Sequence, residues 1–290
     1  TSESATVQLI VGTPAVMSTR SEEVEQWNRL AEVMAAAARS AHALQKSFDD
    51  GGAGKFKSGN ELERSQMAAG FKTAVGEIGS QIEAAEGELG KTLRLASAGR
   101  EGARLGLVGE GLSLARQKLL REVEQESAAI TKDVKSGDLT RMAGRVRSLD
   151  NQVKNLNGQF RRLLSRKKSS AAAEYFDQLA KRQDELNERA RADTGTDPNV
   201  WKRLARRQSE AAAQVAKGEE MLADLQPDVP ANFANRISGS QKDVGNARRL
   251  VDEAARKPEP GPEIRTPSEQ LQRMIRNAEK GLRALAKSET

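Results

Sequence analysis

The chain has 290 residues, no cysteine and a formal net charge of +6, with 37% hydrophobic, 3% aromatic and 30% charged residues. Without cysteine, disulfides, thiolate metal sites and cysteine nucleophiles are excluded, and no apolar run approaches the roughly 20 residues of a membrane-spanning helix. So few large apolar side chains cannot fill a thick globular core; narrow Ala- and Leu-lined seams between long helices suit the composition.

Residues 7–11, Val-Gln-Leu-Ile-Val, read as a short strand ended by Gly12-Thr13-Pro14. It is either the last strand of a β domain preceding the chain or part of an extended tail, so residues 1–18 are expected to be an extended N-terminal segment. The chain opens Thr1-Ser2-Glu3 without an initiator methionine, as a piece of a longer protein or a processed form would. A first helix is expected from Thr19, with Glu22 completing a capping box. Its seam is Trp27, Leu30, Met34, Ala37, Ala41, Leu44 and Phe48. A Gly-rich loop then covers residues 49–60.

A second helix carries Phe71, Val75, Ile78, Ile82, Ala85, Leu89 and Ala96. The third carries Leu105, Val108, Leu112, Ala115, Leu119, Val123, Ile130 and Val134, and stops near Gly137. Between them Gly99, Gly102, Gly106 and Gly109 recur at helical spacing. An interior glycine costs a helix about 1 kcal/mol relative to alanine, so this stretch is either a close helix–helix contact or a hinge.

The fourth helix has the most regular seam: Leu139, Met142, Val146, Leu149, Val153, Leu156, Phe160 and Leu163, at alternating spacings of three and four. Its phase breaks at residues 165–170, where a turn is expected. A fifth helix restarts with Phe176, Leu179, Gln183, Leu186 and Ala190. Asp197-Pro198 starts a sixth, with a side-chain cap and proline in the first turn. Its seam runs Trp201, Leu204, Gln208, Ala211, Val215, Gly218, Leu222 and Leu225, ended by Pro227 and Pro230. A seventh covers about 231–256, with Phe233, Ile237, Val244, Ala247, Val251 and Ala254. Residues 257–267 hold four prolines and read as a stiff linker. Thr266, Pro267 and Glu269 cap a last helix with Leu271, Met274, Ala278, Leu282 and Leu285. The string Leu179-Ala-Lys-Arg-Gln-Asp-Glu185 echoes Leu204-Ala-Arg-Arg-Gln-Ser-Glu210 at an offset of 25 residues, two similar helices rather than a repeat array.

Charge singles out the fourth helix. Residues 139–168 hold nine basic residues and one acidic one, Asp150, a local +8 that leaves −2 for the remainder. Arg147, Lys154, Arg161 and Lys168 repeat every seven residues, and Arg141, Arg145, Arg162, Arg166 and Lys167 lie beside them. Such a stripe can meet anionic lipid headgroups or a phosphate backbone. It can equally be a solvated face, or pair with an acidic helix such as the one bearing Glu83, Glu86 and Glu88. It lacks the aromatics and base-reading groups that nucleic-acid binding adds, which disfavours that partner. The candidate binding residues are therefore Arg147, Lys154, Arg161, Arg162, Arg166, Lys167 and Lys168.

Catalytic and metal motifs fail on their own terms. Gly51-Gly-Ala-Gly-Lys55 is superficially a phosphate loop, yet Phe56 stands where Ser or Thr would bind magnesium. Asp193, Gly195 and Asp197 suggest a calcium loop, but Leu204 occupies the position of the bidentate glutamate. His42, the single histidine, cannot supply a two-histidine metal site or a paired Glu-x-x-His di-iron centre. It reads as a half-buried structural residue. No cofactor, metal site or catalytic residue is assigned, and no enzymatic activity is expected.

The Leu-Ala-basic-Arg-Gln helices, the Pro-broken segment after Leu225 and the closing helix from Met274 to Leu285 give residues 175–287 a family character. They resemble the long helical regions of bacterial cell-envelope proteins of unknown function, in which Gln- and Arg-rich helices follow immunoglobulin-like β domains and a membrane anchor. The chain is less Gln-rich than those regions. The resemblance implies an extracytoplasmic, periplasmic module of a membrane-anchored protein and transfers no site residues.

The expected fold is all-α: an elongated bundle of about seven or eight amphipathic helices packed as antiparallel coiled-coil hairpins. Residues 19–256 would form the helical domain, 257–267 the linker and 268–290 the C-terminal helix. The expected function is that of a non-enzymatic structural or interaction module. Its partner would be another helical protein or a second copy of itself, or else an anionic membrane surface met by the basic helix.

Overall fold

The computed structural model describes residues 14–95, 100–132, 138–192, 197–229 and 231–288. Expectations that fall on residues 7–11, on Ala96, Val134 and Gly137, and on Asp193 and Gly195 lie outside these residues. Among the described residues there is no strand and there are seven long helices, an all-α helical bundle. Helix α1 is Pro14–Ser47, α2 is the short Ala53–Ser58 and α3 is Glu61–Leu95. Arg100–Leu114 (α4) and Arg121–Lys132 (α5) are joined by a π-helical turn, Ala115–Leu120. Then come α6, Asp138–Ala192; α7, Pro198–Leu225; α8, Ala231–Ala255; and α9, Arg265–Ser288.

The chain divides into two compact units, Thr1–Arg161 and Arg162–Thr290, and each can be described as a four-helix bundle. In the first, α1 runs antiparallel to α3: Gln26 meets Glu88 at one end and Phe48 meets Phe71 at the other. Helix α3 runs antiparallel to the α4–α5 helix, with Leu89 opposite Gly109 and Leu120 opposite Gly79. The α4–α5 helix runs antiparallel to the first half of α6, through Glu122–Arg145 and Glu126–Arg141. Helix α6 returns to α1, where Trp27 stacks on Phe160 with ring centroids 5.5 Å apart. The ring of neighbours is closed, as in an up-down-up-down bundle.

In the second bundle the C-terminal half of α6 runs antiparallel to α7, through Gln183–Gln208, Tyr175–Gln214 and Lys168–Asp228. Helix α7 runs antiparallel to α8 through Glu219–Arg248. Helix α9 runs antiparallel to α6 through Arg191–Glu269 and Asp184–Arg276. Its face of Leu271, Ile275, Ala278, Leu282 and Leu285 lies in one core with Phe176, Val215, Leu222 and Val244. This division differs from the expected one: α9 belongs to the second bundle because that apolar face needs the core of α6, α7 and α8. The single domain expected over 19–256 is split within α6.

The seams are buried nearly as read. Trp27, Leu30, Met34, Ala37, Ala41, Leu44 and Phe48 are all buried, as are Met142, Val146, Leu149, Val153, Leu156 and Phe160. Asp197 caps α7 as expected, its Oδ1 accepting the Asn199 amide at 2.9 Å with proline in the first turn.

Five local expectations are corrected. Helix α1 begins at Pro14 rather than Thr19, with proline at the position where its missing N–H is harmless. The Gly-rich loop is mostly helical: a π-helical turn, Phe48–Gly52, kinks at Gly51 (φ 143°) and leads into α2. Phe56 of α2 is fully buried and meets Phe71 edge-on, which draws the short helix onto the bundle. The turn expected at residues 165–170 does not form, and α6 runs unbroken for 55 residues. Ser165 and Ser169 are buried at core positions, and Ser169 Oγ donates to the Ser165 carbonyl at 2.7 Å. In the third seam Leu120 rather than Leu119 is the core residue, because the π turn inserts one residue between Ala115 and the next buried position. Finally, α9 starts at Arg265, so Pro267 sits in its first turn rather than in the linker.

Within the glycine run Gly109 sits at a close helix contact, and so does Gly111 just beyond it, whereas Gly106 does not. A Cβ on Gly109 would lie 3.0 Å from Leu89, and one on Gly111 would collide with Leu156. Gly106 faces open space, and Gly99 lies outside the described residues.

Candidate functional site

The basic face of α6 is the place to look for binding chemistry, and the structure shows where its charges go. Arg141 pairs with Asp138 of its own first turn and with Glu126 at 3.5 Å. Arg145 pairs with Glu122 at 2.7 Å. Arg147 reaches Asp49 at 3.4 Å, and Lys154 donates to Asp150 at 2.7 Å. Lys168 is the most enclosed: its side chain is 11% exposed, and Nζ donates to Asp228 Oδ2 at 2.6 Å and to the Asp224 carbonyl at 3.3 Å. Lys167 is likewise engaged. Arg161 and Arg162 are exposed and Arg166 half-buried; these three have no ion-pair partner among the described residues.

The acids that meet this face come from α5, from the turn after α1, from the segment after α7 and from α6 itself. Glu83 and Glu86 bind Arg116 instead, at 3.6 and 3.0 Å. Glu88 binds Lys91 and Gln26, and these two hydrogen bonds hold its carboxyl below the usual range.

A second feature lies where α1 crosses this face. Asp150 is 2% exposed, yet it is the one acidic residue of the basic segment. Lys154 Nζ also lies 2.9 Å from His42 Nδ1, and His42 Nδ1 lies 3.7 Å from Asp150 Oδ2. The histidine that sequence places beside the α1 seam thus meets a buried carboxylate and a lysine from α6. Spacing within α1 could not show this, because Asp150 is 108 positions away in sequence. The sequence signal was the charge pattern: a lone acid on an apolar-facing register in a basic helix needs a cation beside it.

The second bundle holds a layer of buried amides. Gln183 Nε2 donates to Gln208 Oε1 at 2.9 Å and to Asn187 Oδ1 at 3.2 Å. Asn187 Nδ2 donates to Gln272 Oε1 at 3.0 Å. The layer separates the larger apolar core from a smaller one around Trp201, Leu186, Leu204 and Ile264. Arg265 closes that end, its guanidinium 5.2 Å over the Trp201 ring and its Nε donating to the Ala190 carbonyl at 2.8 Å. Gln183 and Gln208 are the matched positions of the 25-residue echo, so the echo marks two antiparallel helices that present one motif to each other.

Ionic networks tie the remaining helices. Asp177 accepts from Lys181 and faces Arg283 and Arg276; the lysine hydrogen bond, then the arginine charges, lower its pKa. Burial raises that of Tyr175, whose hydroxyl donates to the Gln214 carbonyl at 2.8 Å.

Among the described residues no cluster of three His, Asp or Glu is arranged to hold a metal ion, and no helix is long and apolar enough to cross a membrane. Compared with known protein families, curated proteins and solved structures, the chain matches none.

Proposed function

We propose that the chain is a non-enzymatic structural and interaction module of a larger, cell-envelope-associated bacterial protein, acting by helix-on-helix association. The resemblance of residues 175–287 to envelope helical regions supports the setting. The observation that carries the activity lies on α4. Leu107 and Leu114, seven residues apart on one outward stripe, are 61% and 47% exposed. Two leucines at heptad spacing outside the bundle form the beginning of another seam. The occupant that fits is a second copy: antiparallel α4 helices across a two-fold axis set each Leu107 against Leu114 of the other copy, a self-complementary contact.

Sedimentation velocity over a wide concentration range tests this. The weight-average mass is expected to rise reversibly with concentration, and Leu107→Glu with Leu114→Glu to hold the chain monomeric at unchanged helicity. A strict monomer at every concentration overturns the association.

A second reading rests on Arg161, Arg162 and Arg166, the cations of the basic face left without acidic partners among the described residues. Anionic vesicles would bind through them in a salt-dependent manner, and reversal of the three charges to glutamate would abolish binding. Binding that survives the reversal removes this reading.

A further inference from the structure

We propose that His42, Lys154 and Asp150 form a proton-operated clasp between α1 and α6, in which protonation of His42 transfers the Asp150 carboxylate from Lys154 to the imidazole. The argument begins with donors and acceptors. An ammonium group only donates. With Lys154 Nζ 2.9 Å from His42 Nδ1, the ring nitrogen must be the acceptor. His42 is therefore neutral in this arrangement, with its proton on Nε2. The same ammonium donates to Asp150 Oδ2 at 2.7 Å. Asp150 is 2% exposed, and among the described residues its Oδ1 is buried without a hydrogen-bond partner. The carboxylate thus rests on one cation that it shares with a titratable ring.

The His42 side chain is 55% exposed, so a proton reaches it directly from solvent. Imidazole changes charge within about pH 5 to 8. Once Nδ1 carries a proton, it can no longer accept from Lys154, and two like charges stand in contact. Nδ1 already lies 3.7 Å from Asp150 Oδ2. A small side-chain rotation closes that gap to a charge-assisted hydrogen bond. Lys154, 45% exposed, turns out to solvent. The two bonds of Lys154, one to Asp150 within α6 and one to His42 on α1, are exchanged for a single charge-assisted bond that joins α1 directly to the buried carboxylate of α6.

The charged groups facing His42 from α6 are Asp150 and Lys154. On α1 itself Arg39 and Lys46 stand about one turn to either side, and the Asp49–Arg147 pair follows beyond. Among the described residues no charged group of α3, α4 or α5 forms a hydrogen bond or ion pair with the ring. Asp150 is the acid that reaches the ring, and Lys154 is the cation in contact with it. Lys154 shares the seven-residue stripe with Arg147 and Arg161, so its release adds an ammonium to the outward face of α6 as the pH falls.

His42 is the single histidine, so the imidazole ¹⁵N spectrum of the intact chain is unambiguous. At neutral pH the ring is expected as the Nε2–H tautomer, with the Lys154 Nζ signal moving on acidification at the same midpoint as the ring. Lys154→Met removes the competing cation and frees Asp150, so the His42 midpoint should rise. Asp150→Asn removes the acceptor and leaves the lysine, so it should fall. Both shifts are read against the midpoint of the unmodified chain in the same buffer. The Nδ1–H tautomer in the unmodified chain, a midpoint in Lys154→Met that stays put or falls, or a Lys154 signal indifferent to the ring overturns the clasp. The tautomer and the Lys154→Met result decide the matter even if Asp150→Asn fails to fold.

Discussion

A Cβ on Gly218 would lie 2.9 Å from Phe176 Cζ and 3.2 Å from Cε2, and that ring is fully buried with nowhere to retreat. Gly218→Ala should therefore lower stability by about 1–3 kcal/mol through overpacking, despite the better helix propensity of alanine. Gly239, on the exposed side of α8, has nothing within 4 Å of an added Cβ. Gly239→Ala should raise stability by up to about 1 kcal/mol. Urea midpoints of the two variants, moving in opposite directions, check both. At Asp177 the sign runs the other way from burial. Its folded pKa lies below the unfolded value of about 3.9, first through Lys181 and then through Arg283 and Arg276. The stabilisation is present above about pH 4 and is lost as the pH falls through the depressed folded value. Asp177→Asn should thus be less stable than the unmodified chain near neutrality and converge with it as the pH falls below the folded value. Unfolding midpoints across that range decide it.

Helix existence was legible from the seams, and helix ends and phases less so. Apolar spacing identified the buried face of α1, α3 and the first half of α6 because those faces are made of apolar residues. It failed at Ser165 and Ser169, which occupy the core as small polar side chains. From Phe160 the buried positions continue through Leu164, the enclosed Lys168, Ala172 and Phe176 at spacings of four. A run of fours moves the buried stripe around a helix without ending it, so a phase break in the pattern was read as a turn in the chain. The unbroken helix predicts that amides of residues 165–170 exchange with solvent as slowly as those of the neighbouring turns. Rapid exchange confined to those six residues would restore the turn. The basic stripe was legible as a charge pattern, but its partners were not. Glu122 and Glu126, Asp49, and Asp228 come from three places in the sequence, and only the antiparallel pairing brings them to α6.

At the scale of the molecule, α6 contributes its N-terminal half to one bundle and its C-terminal half to the other. Each bundle nevertheless has its own closed set of neighbours and its own aromatic reporter, Trp27 in the first and Trp201 in the second. Phe160→Ala removes the ring stacked on Trp27 and should cost the first bundle about 3–5 kcal/mol. In single-tryptophan backgrounds the transition reported by Trp27 should move to lower urea, and that reported by Trp201 should stay in place. Equal movement of both would mean that the bundles unfold as one cooperative unit.

The π-helical turn at Ala115–Leu120 also determines which changes of length the chain can absorb. Buried positions run Leu105, Val108, Leu112, Ala115 before it and Leu120, Val123, Ser127, Ile130 after it, with a gap of five between. That gap is a spare residue held in reserve. Deleting one of residues 116–119 turns the π turn into an ordinary α turn and leaves both flanking faces aimed at their cores, so the shortened chain should fold. The same deletion in the middle of α5 would rotate every later side chain of that helix by about 100° and strand its apolar face in water. A gene coding for this bundle can therefore lose a codon here without a frame error in the fold, a tolerance that long helices otherwise lack.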